Sequence, residues 1–292
     1  MRTDSPRVEA SWAAVKSGGR RAVARLARRI LPDVTARLAH VESGVRLRVS
    51  IRRNVMFWSG GLARYEVECV RVIREAVEPG DVAIDAGANI GFFTTLLSRW
   101  VGAKGRVAAV EPDADNLRLL HRNLDENACD NVRVIACAVG EEAGDATFSR
   151  DRATGATGYV GEGTTAGEVA VGRGRIEVVP VRVETLDSIA EDAGGRVAFV
   201  KIDIEGHEAA ALSGASRMLA EHRPIVVTEL GGEGGPLASS LLRSRGYRLW
   251  DIESGRAADS GDSPFLALAI PGESLETERS RRALAALPGG GM

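Results

Sequence analysis

The stretch Asp81-Val-Ala-Ile-Asp-Ala-Gly-Ala-Asn-Ile-Gly91 admits few folds. Pro79-Gly80 delivers the chain to Val82, Ala83 and Ile84, which read as a buried strand, and Phe92 to Leu97 can form a buried helix face. Strand, glycine turn and helix in that order make the nucleotide-binding unit of an open α/β sheet. Gly87 and Gly91 let the backbone turn sharply and meet a ligand closely, as a residue with a Cβ does not. The spacing is Gly-x-x-x-Gly, not the Gly-x-Gly-x-x-Gly of dinucleotide-binding turns, and Asp85 ends the strand. A carboxylate in that crevice opposes a pyrophosphate and suits an ammonium or sulfonium. S-adenosylmethionine is such a ligand.

Beyond this turn, strand and helix patterns alternate, which predicts a doubly wound, mostly parallel sheet. Strands are expected at Arg106 to Glu111, Val132 to Val139, Asp145 to Ser149, Ile176 to Val183, Val197 to Asp203, Pro224 to Glu229, Gly246 to Ile252 and Phe265 to Ile270. Helices are expected from Tyr65 to Ala76, over 114–127, from Thr185, from the turn at Ile204 to Glu208 as far as about Ala220, and from Leu237 to Arg245. Residues 150–175 hold seven Gly and four Thr with no period, which predicts a mobile loop near the active site. The tail from Gly272 reads as poorly ordered.

The N-terminal 60 residues differ in charge. They hold thirteen Arg or Lys against four Asp or Glu, so the other 232 residues carry −11 of an overall −2. They read as a basic, helical extension, with helices near 20–31 and 33–41 and a strand at Val45 to Ile51. The division expected is therefore 1–60 extension, 61–272 main domain and 273–292 flexible tail. A solvated helical face explains the basic charge most simply, and the acidic remainder argues against a nucleic-acid surface. Cys69, Cys129 and Cys137 form no even framework and no Cys-x-x-Cys pair, no apolar run of about 18 residues occurs, and no export signal is legible, so a cytoplasmic protein without a membrane span is expected.

Two constellations carry chemistry. Glu111 ends the second strand 20 residues after Gly91, where an acidic side chain reaches both hydroxyls of an adenosine ribose. Lys201-Ile-Asp203-Ile-Glu205-Gly-His207-Glu208 crowds proton acceptors at the carboxyl end of a core strand, the edge where ligands sit. Glu208 and Glu205 also complement a helix start, and His207 also suits a capping position. Glu229 ends the next strand, so Asp203 and Glu229 can share a divalent cation or converge on a substrate. No third ligand presents itself, and no metal site is assigned.

With Tyr65-Glu66, Pro79-Gly80-Asp81, Asp85 to Gly91, Val110-Glu111-Pro112, Ala138-Val139-Gly140 and Val200 to Glu208 in hand, the sequence resembles the FkbM-type S-adenosylmethionine-dependent methyltransferases over residues 65–250. The resemblance implies a seven-stranded, Rossmann-like class I methyltransferase fold. It implies that Asp85, Gly87, Asn89 and Gly91 lie under the methionine part of the cofactor, Glu111 on its ribose, and Ala138 and Val139 along its adenine. It implies O-methylation of a small acceptor, a hydroxyl of a sugar or secondary metabolite, with N-methylation of an amine or peptide as the alternative. His207 is the expected base, with Asp203 and Glu205 assisting. An NAD-dependent oxidoreductase lacks its glycine spacing here, and a non-catalytic cofactor- or partner-binding module has no need of Asp203, Glu205 and His207.

Overall fold

The computed structural model describes residues 34–40, 43–59, 62, 65–151, 158–160 and 176–291. An antiparallel hairpin of β1 (Thr35–His40) and β2 (Val45–Ser50) comes first. Then follow α1 (Val55–Ser59), α2 (Val67–Ala76), β3 (Val82–Ala86), α3 (Phe92–Val101), β4 (Arg106–Val110), α4 (Ala114–Glu126) and β5 (Val132–Ile135). A side sheet is built from β6 (Ala138–Val139), β7 (Gly144–Asp151), β8 (Gly158–Val160) and β9 (Ile176–Glu184). The main sheet resumes through α5 (Leu186–Asp192), β10 (Val197–Ile202), α6 (Glu208–Ser213), β11 (Ile225–Glu229), α7 (Gly235–Ser244), β12 (Tyr247–Asp251), β13 (Leu266–Pro271) and α8 (Glu278–Ala285).

The seven-stranded sheet runs β12-β13-β11-β10-β3-β4-β5, and β13 alone is antiparallel to its neighbours. Every residue of β3 is buried, as a parallel strand covered on both faces demands. One face packs Ile73, Phe93, Leu96, Leu97 and Phe199 under α2, α3 and the hairpin, and the other packs Ile84, Leu186, Val200, Leu212 and Leu242 under α5, α6 and α7. The strand order changes direction between β3 and β10, so the crevice above their carboxyl ends is the place for a ligand.

Several local expectations are corrected. Residues 35–40, read as helix, are β1, whose Cα partners run from Thr35 opposite Ser50 to His40 opposite Val45. The helix expected near 20–31 lies outside the described residues, as does most of the 150–175 loop, of which Gly158–Val160 pairs with β7. The strand expected over Val132 to Val139 divides, β5 staying in the main sheet and β6 joining β9. The helix expected from the turn at Glu208 to about Ala220 breaks after Ser213 and resumes as a short wide turn at Met218–His222. Gly214 follows Ser213 because a Cβ there would lie 2.2 Å from the Gly140 carbonyl oxygen. The tail is not loose: Arg279 reaches Glu78 and Asp81 at 2.7 and 2.8 Å, Arg282 reaches Glu78 at 2.6 Å, and Ala283 and Leu287 are buried in the core. No helix among the described residues is long and apolar enough to cross a membrane.

One buried amide fastens the hairpin to the glycine turn. Asn123 of α4 accepts the Arg48 N–H at 2.6 Å and donates through Nδ2 to the Ile90 carbonyl at 2.7 Å and the Arg48 carbonyl at 3.1 Å. Asn123→Leu leaves these backbone groups buried and unpaired, at about 1–3 kcal/mol for each that cannot find water. We expect thermal unfolding to shift down by about 8 °C, measured by circular dichroism.

Candidate active site

The glycine turn is sewn to the strands on either side. Gly87 and Ala88 donate to the Val110 carbonyl at 3.0 and 2.9 Å, and Asp203 donates its N–H to Ala86 at 3.0 Å. Gly87 has φ 87°, and a Cβ on it would lie 1.9 Å from the Asp203 carbonyl oxygen, so glycine is required by both conformation and space. Gly91, at φ 92°, serves packing: a Cβ there would meet Leu120 Cδ1 at 2.6 Å, and the residue faces neither part of the cleft described next.

The cleft has two lobes. The first, about 630 Å³ with its open mouth included, is lined by Gly87, Asn89, Glu111, Asp113, Asn116, Cys137, Ala138, Val139, Phe148, Val160 and the Asp203 to His207 turn. The second, about 510 Å³, is lined by Phe57, Tyr65, Asp85, Phe92, Phe93 and Lys201. Gly87, Asn89, Asp203 and Glu205 belong to both and form the neck between them.

In the first lobe Glu111 is held from three sides. Its Oε2 accepts the Asn89 N–H at 2.8 Å, and its Oε1 accepts the Asp113 N–H at 2.8 Å and Asn116 Nδ2 at 3.3 Å. Burial outweighs these donors and raises its pKa to about 7. Asn89 reaches Glu111 by adopting φ 50°, a left-handed conformation in which Asn is better tolerated than other side chains. Ala138 and Val139 are buried on the wall of the same lobe. Glu111, Ala138 and Val139, expected on one nucleoside, are thus brought together.

The second lobe is organised by charge. Lys201 sits opposite Asp85 in the register of β10 on β3 and donates to Asp203 Oδ2 at 2.8 Å. Its ammonium also lies 4.7 Å above the Phe93 ring. Burial works against that charge, but Asp203, Asp85 and Glu66 outweigh it and hold the ammonium protonated well above the usual lysine range. Asp85 is fully buried; its Oδ2 accepts from Thr94 Oγ1 at 2.6 Å, while Oδ1 has no hydrogen-bond partner among the described residues. Burial pushes its carboxyl up, and Lys201 and Thr94 pull it back. An oxygen orphaned in this way is a waiting acceptor for a ligand's N–H.

The candidate proton acceptors occupy different places. Asp203 and Glu229 converge, and a hydrogen bond between their carboxyls joins them. Burial and the Asp203 charge raise Glu229 to about 9. Lys201 and that hydrogen bond overcome the desolvation of Asp203 and hold it below the usual carboxylate range. His207 precedes α6 on the side of the first lobe, and burial lowers its pKa. Glu205 alone of the three expected catalytic residues combines a place at the neck with raised basicity. Burial of its carboxyl, then the Asp203 and Glu208 charges, bring it to about 8, although the residue as a whole is exposed at the mouth. Its φ of 56°, followed by Gly206 at 95°, holds the turn in a strained left-handed form. Glu208 accepts the N–H groups of Ile204 and Gly206 at 3.2 and 3.1 Å, closing the turn.

Sequence reasoning passed over Tyr65 and Glu66 as site residues. Glu66 takes φ 46° ahead of α2, hydrogen-bonds Tyr65 and stands in the field of Lys201, Asp203 and Asp85. Phe57 stacks on Tyr65 at 4.5 Å between ring centroids, and Tyr65 meets Phe92 edge-on at 5.4 Å. An acid with an aromatic neighbour shortly before the first main strand was the available signal.

Residues 85–249, more than half of the chain, match the family model described as the methyltransferase FkbM domain. The hexuronic acid methyltransferase AglP of Haloferax volcanii is 27% identical over 187 residues, covering 63% of this chain and 71% of AglP. Among solved structures, methyltransferase FkbM from Methylobacillus flagellatus KT is 23% identical with a TM-score of 0.43, covering 67% of this chain and 44% of that one, so this chain spans less than half of that protein's length. Cofactor-bound Rv0187 from MTB is 16% identical with a TM-score of 0.40, covering 93% and 99%.

The charge arrangement predicts the behaviour of Lys201→Met. Removing the ammonium leaves Asp85 and Asp203 desolvated and facing each other, at a cost of about 3–5 kcal/mol near neutral pH. Both carboxyls then take up protons at higher pH in the folded chain than in the unfolded one, so the loss shrinks as pH falls. Denaturant unfolding at several pH values should show the variant nearest to wild type at pH 5 and furthest from it at pH 8.

Proposed function

The chain belongs to the FkbM methyltransferase family, and from that premise we propose that it transfers the methyl group of S-adenosylmethionine to a hydroxyl of a sugar or secondary metabolite, with Glu205 as the proton acceptor. The carrying observation is the neck, where Gly87, Asn89, Asp203 and Glu205 join a lobe suited to a nucleoside to a lobe suited to an amino acid. The residues fit the donor. Glu111 offers the remaining lone pair of Oε2 to a ribose hydroxyl, Ala138 and Val139 offer an apolar edge to adenine, and the unpartnered Oδ1 of Asp85 offers an acceptor to the α-ammonium. The AglP relative, by its name a methyltransferase of hexuronic acid, supports a sugar as acceptor. Three buried, unpaired cysteines suit a reducing cytoplasm.

When bound, S-adenosylmethionine supplies a methyl group on a sulfonium, open to in-line attack by an oxygen. The protein's part is alignment and proton removal. Asp203, held ionised by Lys201 and occupied by Glu229, is a poor base and a good anchor. Glu205, near neutrality in basicity and at the neck, takes the hydroxyl proton on a carboxylate oxygen as the new bond forms. His207, on the nucleoside side, borders the cofactor in this reading.

Two outcomes test this. Calorimetric titration with S-adenosylhomocysteine should give micromolar binding, weakened about tenfold to a hundredfold by Glu111→Ala in protein whose thermal melt confirms folding. Ribose hydroxyls favour the charged carboxylate, so binding expels the Glu111 proton and wild-type affinity should rise with pH up to about 7, then level. Failure of the wild type to bind sinks the donor assignment.

With an acceptor, kcat/KM should rise about tenfold per pH unit below 8 and flatten above it, because only ionised Glu205 accepts the proton. Glu205→Gln should lose about a hundredfold or more in kcat while binding S-adenosylhomocysteine normally. A His207→Gln variant that loses as much would return the base to the imidazole.

A further inference from the structure

An isolated exposed apolar side chain calls for no explanation, but Phe265 is not isolated from the site. It is 58% exposed, stands one residue before β13, and lies at the carboxyl edge of the sheet beside Glu229, which pairs with Leu266. Its carbonyl accepts the Leu230 N–H at 2.7 Å, which fixes the backbone. Gly231 then determines where the ring lies: a Cβ there would be 2.6 Å from Phe265 Cε2 and 3.3 Å from Glu229 Oε1. Ring and carboxyl therefore close over the same glycine. Glu229 in turn is hydrogen-bonded to Asp203, which lines the neck, so ring, Glu229 and Asp203 form one connected set at the carboxyl edge of the sheet.

We propose that Phe265 and Glu229 form the acceptor subsite, and that it takes a pyranose ring. This rests on the methyltransferase reading above and narrows its acceptor. A pyranose has a face of C–H bonds with partial positive charge, which suits the negative face of an aromatic ring, and a rim of hydroxyls that donate to carboxyl oxygens. Phe265 supplies the first and Glu229, with Glu205 beyond it, the second. A macrolide would ask instead for a broad apolar wall, and the described residues here present one ring among carboxyls.

The test is saturation-transfer difference NMR with the methyl β-pyranosides of glucose and galactose and the methyl α-pyranoside of mannose. It is run with and without S-adenosylhomocysteine on wild type, Phe265→Ala, Phe265→Tyr and Gly231→Ala. Ring C–H protons of at least one pyranoside should receive saturation in wild type. Phe265→Ala should cut this about fivefold, and so should Gly231→Ala, which displaces the ring without removing it. Phe265→Tyr should keep the signal, and calorimetry should find the same S-adenosylhomocysteine affinity in all four proteins. Undiminished transfer in Phe265→Ala, or no transfer from any of the three pyranosides to wild type, overturns the subsite. Phe265-dependent transfer in a protein that does not bind S-adenosylhomocysteine brings down the donor assignment and leaves the sugar subsite standing.

Discussion

A single buried ammonium makes this arrangement of carboxyls possible. Lys201 stands on the central strand next to Asp85, bonds Asp203 two residues on, and lies in the field of Glu66. Three carboxyls in so small a desolvated volume repel one another and take up protons unless a cation stands among them. The parallel register of β10 on β3 supplies that cation without a flexible arm, since Lys201 and Asp85 are direct neighbours. Asp203 thereby stays ionised at the neck, and burial, with the Asp203 charge added to it, makes Glu205 and Glu229 more basic. Strand pairing thus places the one cation that keeps Asp203 ionised.

Backbone strain completes what charge begins. Glu66 and Glu205 take left-handed φ values that their side chains disfavour, Asn89 takes one that Asn tolerates better, and each borders the cleft or its charge network. Each costs of order 1 kcal/mol or more and persists because its surroundings fix it. Asn89 is fixed by its N–H on Glu111, and Glu205 by Glu208 accepting the amides on either side of it. Helix α6 is thereby made to begin beyond the turn, not within it, and Glu205 is left facing the neck.

How much of this could be read beforehand follows the range of the interactions. Val82 to Ala86 with Gly87 fixed the nucleotide-binding unit, because strand, turn and helix are local and apolar. Glu111 was legible for the same reason, its place being set by the end of one strand. The tail was misread because Arg279 and Arg282 find Glu78 and Asp81 about two hundred residues away, and a charged segment looks unanchored until its partners are known. Residues 35–40 were misread as helix because their alternating burial exists only once β2 pairs with them. Where Asp203, Glu205 and His207 stand relative to the two lobes was illegible in principle, since it turns on one positive φ and on the fold of the turn after β10.

The residues gathered at the cleft come from different parts of the chain. Asp85, Gly87, Asn89, Glu111, Ala138 and Val139 all fall within the residues matched by the family, and so do Lys201, Asp203 and Glu205. Phe57, Tyr65 and Glu66 precede that span and Phe265 follows it. The antiparallel strand β13 brings Phe265, from outside that span, beside Glu229, which lies within it. Because β13 enters against the direction of its neighbours, its first residue arrives at the carboxyl edge, and a segment remote in sequence comes to stand beside Glu229 without passing through the glycine turn.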